Sequence, residues 1–141
     1  MTMSNIKIDQ NTKILVVDDM DSVRIILISI LEEMGFTNIL QAVNGQDAMA
    51  KFLDETESIR NIDIIVADLN MPIMNGLELL KAIRGHYFGG EVPFLIVTTE
   101  QEKDTVLDCV QAGASDYIIK PFKKEIVKER IYAAYALLNL E

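Results

Sequence analysis

The chain alternates two kinds of segment, and this alternation limits its fold more than any other feature. Short apolar runs rich in β-branched residues occupy positions 14–17, 62–67, 94–97 and 117–119. At about four to six residues they are too short for buried helices. They lack the polar alternation of a half-exposed strand, which fits strands covered on both faces. Residues 38–43 form a weaker fifth candidate, nearer an edge. Between the runs lie segments with helical periodicity, at about 21–34, 45–53, 76–84, 103–112 and 123–138. In the first, Val23, Ile26, Leu27, Ile30, Leu31 and Met34 make an apolar stripe, and Gly35 supplies a left-handed cap. The fourth also stops at a glycine, Gly113. In the last, Ile126, Val127, Ile131, Ala134 and Leu138 are expected to face inward. Strand then helix, repeated five times, predicts an α/β fold: a (βα)5 doubly wound, five-stranded parallel sheet.

Length and charge narrow the function classes. At 141 residues the chain is one domain by size and can bury a core without a disulfide or metal staple. Its single cysteine, Cys109, excludes an intrachain disulfide. It is expected to pack as a small apolar residue. With 13 Lys+Arg against 22 Asp+Glu, the net charge of −9 argues against direct DNA binding, which needs a basic footprint. The first ten residues lack the apolar core of a signal peptide, and no run reaches the roughly 20 apolar residues of a membrane span. No membrane insertion is expected, and the chain reads as cytoplasmic.

In doubly wound sheets, chemistry sits beyond the carboxyl ends of the strands. The first strand ends in Asp18-Asp19, the third in Asp68, the fourth in Thr98-Thr99 and the fifth in Lys120-Pro121. Each alone has a plain reading: helix caps for Asp18 or Asp19, a turn before Met71-Pro72 for Asp68, a backbone-satisfied hydroxyl for Thr98, a solvated Lys120. Together they say more. Three carboxylates on one edge repel one another, and desolvation raises the cost. A bound cation relieves it. Oxygen ligands without His or Cys point to a hard ion, Mg²⁺ (or Mn²⁺) before Ca²⁺. Metal, lysine and hydroxyl could hold the oxygens of a phosphoryl group in transfer, and a carboxylate among them could accept it.

At this point the residues resemble a known family. ILVVDDM at 14–20, VADLNMPIMNGLELLKAIR at 66–84, VTTE at 97–100 and AGASDYIIKPF at 112–122 are similar to response-regulator receiver domains, in their single-domain chemotaxis form. The likeness covers roughly residues 13–138. It implies a flavodoxin-like sheet of strand order 2-1-3-4-5. It implies Asp68 as phosphoacceptor, and Asp18, Asp19, Asp68 and the Asn70 backbone carbonyl as metal ligands, Asp18 mainly through water. Lys120 and Thr98 would contact the phosphoryl group. Thr98 and Tyr117 would form the switch, the ring turning into space that Thr98 vacates. The Lys120–Pro121 peptide would be cis. A sensor histidine kinase would supply the phosphoryl group. A protein target, the flagellar motor switch among the candidates, would bind the face formed by the fourth helix, fifth strand and fifth helix. A phosphatase is a further partner of this class. Asn70 and Glu100 resemble the pair found in fast-cycling chemotaxis regulators, so a short-lived phosphorylated state is expected.

Further positions have readings of their own. Asp21 is expected to cap the first helix. Asp54-Glu55-Thr56-Glu57 reads as a solvated loop, and His86 as a surface-loop residue. Lys120, Lys123, Lys124, Lys128 and Arg130 form a basic cluster, a solvated face or a docking patch for an acidic partner. Residues 1–12 read as an N-terminal arm, with Ile6 and Ile8 covering an edge. Residues 13–138 form the domain and residues 139–141 a tail, with no output domain. Two other classes share some features. Asp19-Met20-Asp21 is a literal D-x-D, as in haloacid-dehalogenase-type phosphatases, but the following residues and the short chain fit that pattern poorly. A flavodoxin-like flavin protein lacks its phosphate loop here. Within the receiver class, a phosphorelay or phosphate-sink role is the alternative to motor control.

Overall fold

The computed structural model describes residues 7–56, 62–87 and 89–138. The elements run β1 (Lys13–Val17), α1 (Asp21–Met34), β2 (Asn38–Ala42), α2 (Gly45–Thr56), β3 (Ile64–Asp68), α3 (Gly76–Gly85), β4 (Phe94–Thr98), α4 (Lys103–Gln111), β5 (Asp116–Ile119) and α5 (Lys124–Leu137). A 3-10 turn at Glu100–Glu102 precedes α4. The strands form one parallel sheet in the order β2-β1-β3-β4-β5. The expected α/β architecture and strand order are both present.

The continuous apolar runs of β1, β3 and β4 follow from burial on two sides. Strand β5 departs from that expectation: Ile118 is buried but Tyr117 and Ile119 are exposed, because one face of this edge strand is open. Successive strand residues point to opposite faces. Ile14, Val16, Ile64, Val66, Leu95 and Val97 pack with Leu27, Leu31, Val127 and Ile131, on the side of α1 and α5. Leu15, Val17, Ile65, Ala67, Phe94 and Ile96 pack with Phe52, Leu79, Leu80, Ile83 and Cys109, on the side of α2, α3 and α4. Every residue of β1, β3 and β4 is therefore buried.

The structure moves several boundaries. Strand β3 starts at Ile64 because Asp63 breaks the apolar run; its carboxylate accepts the Lys13 N–H at 2.8 Å. Helix α2 continues through Thr56, so Asp54, Glu55 and Thr56 belong to it and not to a loop. Glu57 lies outside the described residues. On α1, Ile26 is exposed and Arg24 is buried in its place. Ile126 of α5 and Leu138, just past its end, are exposed, while Tyr135 is buried. Gly35 and Gly113 both adopt φ of 107°, the left-handed stop foreseen for α1 and the turn after α4. Ile8 packs on the α1–α5 core and not along a sheet edge; Ile6 lies outside the described residues. The Tyr135 hydroxyl accepts the Asp9 N–H at 2.8 Å and donates to the Lys7 carbonyl at 3.3 Å. His86 is half-buried, its ring edge-on to Phe52 at 5.3 Å.

Candidate functional site

Strand register brings the predicted residues together. Val17 pairs with Ala67, so the next positions, Asp18 and Asp68, are neighbours at the carboxyl edge. Both continue the face of β1 and β3 that packs on α1 and α5, by the two-residue period. Asp68 pairs with Val97 of β4, and Val97 with Ile118 of β5. Lys120 lies two residues past Ile118, on the same face. Its Nζ reaches back across the edge to 3.4 Å from both Asp18 Oδ2 and Asp68 Oδ2. The Lys120–Pro121 peptide is cis.

Asp18, Asp19 and Asp68 each present a carboxylate oxygen, all within 4.8 Å of one another. Asp18 and Asp68 are buried, whereas Asp19 is exposed. Burial first, and the Asp18 charge second, push the Asp68 carboxyl up from 3.8 to about 6. Lys120 and the Asn70 backbone N–H offset part of that rise. One lysine thus leaves the cluster short of positive charge. An all-oxygen donor set with unrelieved repulsion fits a hard divalent cation.

Asp18 is held on both sides. Its carboxylate accepts the Met20 N–H at 2.9 Å. Its backbone carbonyl accepts from Arg24 Nη1 at 2.6 Å. Buried Arg24 also donates to Gln41 Oε1 at 3.0 Å and pairs with Asp21. Asp21 therefore does not cap α1: the N-cap is Met20, and Asp21 is the first helical residue. Its side chain is 85% exposed and turned to Arg24, so of the D-x-D pair Asp19 joins the acidic cluster and Asp21 does not.

Thr98 ends β4 and is buried, and among the described residues its hydroxyl makes only a long contact of 3.4 Å, to the Thr99 carbonyl. Such a hydroxyl is poorly satisfied and free to take a better acceptor. Tyr117 faces away from Ile118, and its ring lies 5.7 Å from the Arg130 guanidinium carbon. Together with Glu100, Lys120, Lys123 and Ile126 they border a cleft of about 460 Å³ over β5 and α5. The rest of the basic cluster is committed elsewhere: Lys124 and Lys128 pair with Glu33 of α1, at 3.1 and 3.3 Å. Their hydrogen bonds hold the Glu33 carboxyl below its usual range.

Two residues at the site escaped the sequence reading. Arg24 stands three residues after Asp21, the helical spacing of an ion pair. Glu102 stands three after Thr99, the spacing of a capping box. It accepts from the Thr99 N–H at 3.3 Å and the Thr99 hydroxyl at 2.9 Å, and from Asn70 Nδ2 at 2.6 Å.

Residues 14–132 match the family model described as the response regulator receiver domain. The chemotaxis protein CheY of Pseudomonas aeruginosa is 36% identical over 127 residues, 90% of this chain and 98% of that one. The chemotaxis protein CheY1 of Helicobacter pylori is 37% identical over 119 residues, 84% of this chain and 93% of that one. The structure of the chemotaxis response regulator CheY4 of Vibrio cholerae superposes with a TM-score of 0.76 at 31% identity, covering 87% of this chain and 98% of that one.

Proposed function

We propose, for a chain that belongs to the response regulator receiver domain family of two-component signalling, a phosphorylation-controlled binding switch with Asp68 as phosphoacceptor. One observation carries the reading. A buried Asp68 carboxylate lies against a lysine amine at 3.4 Å and two further aspartates, on an edge built by three strands.

A phosphohistidine of a sensor kinase is the donor. An Asp68 oxygen attacks phosphorus, an O–P bond forms, the P–N bond breaks, and the imidazole leaves with a proton. Asp18 (mainly through water), Asp19, Asp68 and the Asn70 backbone carbonyl would hold Mg²⁺ (or Mn²⁺), which would supply charge neutralisation at the phosphoryl oxygens. Lys120 balances the remaining charge, and the Thr98 hydroxyl donates to a phosphoryl oxygen. Hydrolysis reverses the gain: water attacks phosphorus and Asp68 leaves as carboxylate. The new phosphoryl group adds about −1.5 to −2 charges and biases an existing equilibrium. Thr98 moves toward it, and Tyr117 turns from Arg130 into the space left behind. The cleft over β5 and α5, rimmed by Lys123 and Arg130, then changes shape for a protein target in the α4-β5-α5 region.

The likeness to chemotaxis proteins over nearly their whole length favours motor control over a relay or sink role. The domain spans residues 13–138, with residues 1–12 as its arm, and works in the cytoplasm. A phosphatase partner shortens the signal. Intact mass after incubation with acetyl phosphate and Mg²⁺ tests the core of this reading. A single labile phosphate adduct is expected in wild type and not in Asp68→Ala. An equal adduct in both proteins would rule out Asp68 as acceptor, and sustained turnover of phosphate esters by Asp68→Ala would favour the phosphatase class.

A further inference from the structure

We propose that Glu102 is a positioning residue that latches the Asn70 side chain to the switch segment and thereby sets how long a phosphoryl group survives on Asp68. The inference rests on Asp68 being the phosphoacceptor. Its basis is a chain of hydrogen bonds across the mouth of the site. Asn70 lies two residues past Asp68, and its backbone N–H is already turned to the Asp68 carboxylate. Its side-chain amide points the other way, with Nδ2 donating to Glu102 Oε2 at 2.6 Å. The second oxygen of the same carboxylate, Oε1, takes both the N–H and the hydroxyl of Thr99, at 3.3 and 2.9 Å. Thr99 is bonded directly to Thr98, the switch hydroxyl.

A plain helix-capping role does not account for this arrangement. A capping box over the 3-10 turn needs only Thr99 and Oε1. Oε2 is spent instead on a loop 32 positions earlier in the chain. The contact is charge-assisted, so it is stronger than a neutral pair of the same length.

The consequence follows from what the amide can and cannot do. While Nδ2 is tied to Glu102, it does not donate to a phosphoryl oxygen on Asp68, and the approach of water to phosphorus stays open. A freed Asn70 amide swings over the phosphoryl oxygens and screens them from water. The latch therefore hastens phosphoryl loss, and its release slows it.

The test is a double-mutant cycle of Asn70→Ala and Glu102→Ala, read as the rate of phosphoryl loss by intact mass after removal of acetyl phosphate. Glu102→Ala alone is expected to slow loss about three- to tenfold, the range open to one solvent-exposed hydrogen bond. In the Asn70→Ala background the same substitution is expected to change the rate by less than about twofold. Hydrogen exchange of the Asn70 side-chain amide, followed by NMR on the unphosphorylated protein, gives a second readout. It is expected to be protected in wild type and exposed in Glu102→Ala. Equal slowing with and without Asn70 would mean that the carboxylate acts through charge alone, and would overturn the latch. Adducts of equal lifetime in all four proteins would overturn it too. No adduct in wild type would overturn the underlying reading and the claim about lifetime with it, and unprotected Asn70 exchange would overturn the contact itself.

Discussion

At Asp68 the carboxyl titrates near 6 in the folded chain and near 3.8 when ordinarily solvated. Below about pH 4 both folded and unfolded chains carry the proton there, and the site makes no difference to stability. Between the two values the folded chain holds the proton and the unfolded chain does not. Stability contributed by this group therefore falls as pH rises, and the loss is complete above about pH 6. Its size is on the order of 3 kcal/mol. Metal-free Asp68→Asn should thus match wild type near pH 4 in urea unfolding and exceed it by that order at pH 7.5. Mg²⁺ should restore wild type at pH 7.5 and leave Asp68→Asn less affected. Parallel curves for the two proteins across this window would contradict the burial that raises the pKa. A second residue carries backbone strain. Ile73, between β3 and α3, has φ of 72° and is 72% exposed. A β-branched side chain is disfavoured in the left-handed region by about 1–2 kcal/mol, and its exposure returns little packing. Ile73→Asn should raise the unfolding free energy by about 1 kcal/mol, measured by urea denaturation.

The element that places Asp68 is the β3–α3 connection, and one glycine lets it close. Gly76 begins α3 with its N–H donated to the Leu69 carbonyl at 2.9 Å. A Cβ there would lie 2.5 Å from the Asp68 carbonyl oxygen and 2.9 Å from the Leu69 Cα. Both neighbours are backbone, so the clash cannot be relieved by a side-chain rotation. Gly76→Ala should cost about 1–3 kcal/mol in stability and shift the peptide that carries Asp68. Phosphate uptake from acetyl phosphate should then fall even where the domain remains folded; unchanged uptake would show that the loop adjusts without moving the carboxylate. Strands β1, β3 and β4 were legible in the sequence because burial on both faces writes continuous apolar runs. The acidic cluster was legible because strand ends in such a sheet converge on one edge. Arg24 and Glu102 carry only the local spacings to Asp21 and Thr99; the contacts that tie them to the site, with Gln41 and Asn70, join positions distant along the chain and leave no local pattern. The end of α2 was obscured because residues 54–56 are polar and interrupt the apolar period without breaking the helix.

Across the whole molecule, the chemistry and the chain's entry into the fold lie at opposite ends of the sheet. Residues 7–12 lead into the amino end of β1, whereas Asp18 and Asp68 stand at the carboxyl end, separated by five strand residues or about 16 Å. The entering segment is fastened by Tyr135 of α5, whose hydroxyl bonds Asp9 and Lys7 while its ring packs edge-on to Phe36 at 5.7 Å. Tyr135→Phe removes the hydroxyl and keeps the ring. One net hydrogen bond is worth about 1 kcal/mol, so stability should drop by about that amount. Amide exchange at Asp9 should quicken, because its N–H loses that acceptor. Uptake of phosphate at Asp68 should stay at the wild-type rate, since β1 is buried along its whole length and is braced by β2 and β3 between the two ends. A fall in uptake that tracks the faster exchange at Asp9 would mean that β1 transmits the position of the entering segment to Asp18. The two ends of the sheet would then behave as one cooperative unit and not as a rigid scaffold with a site at one edge.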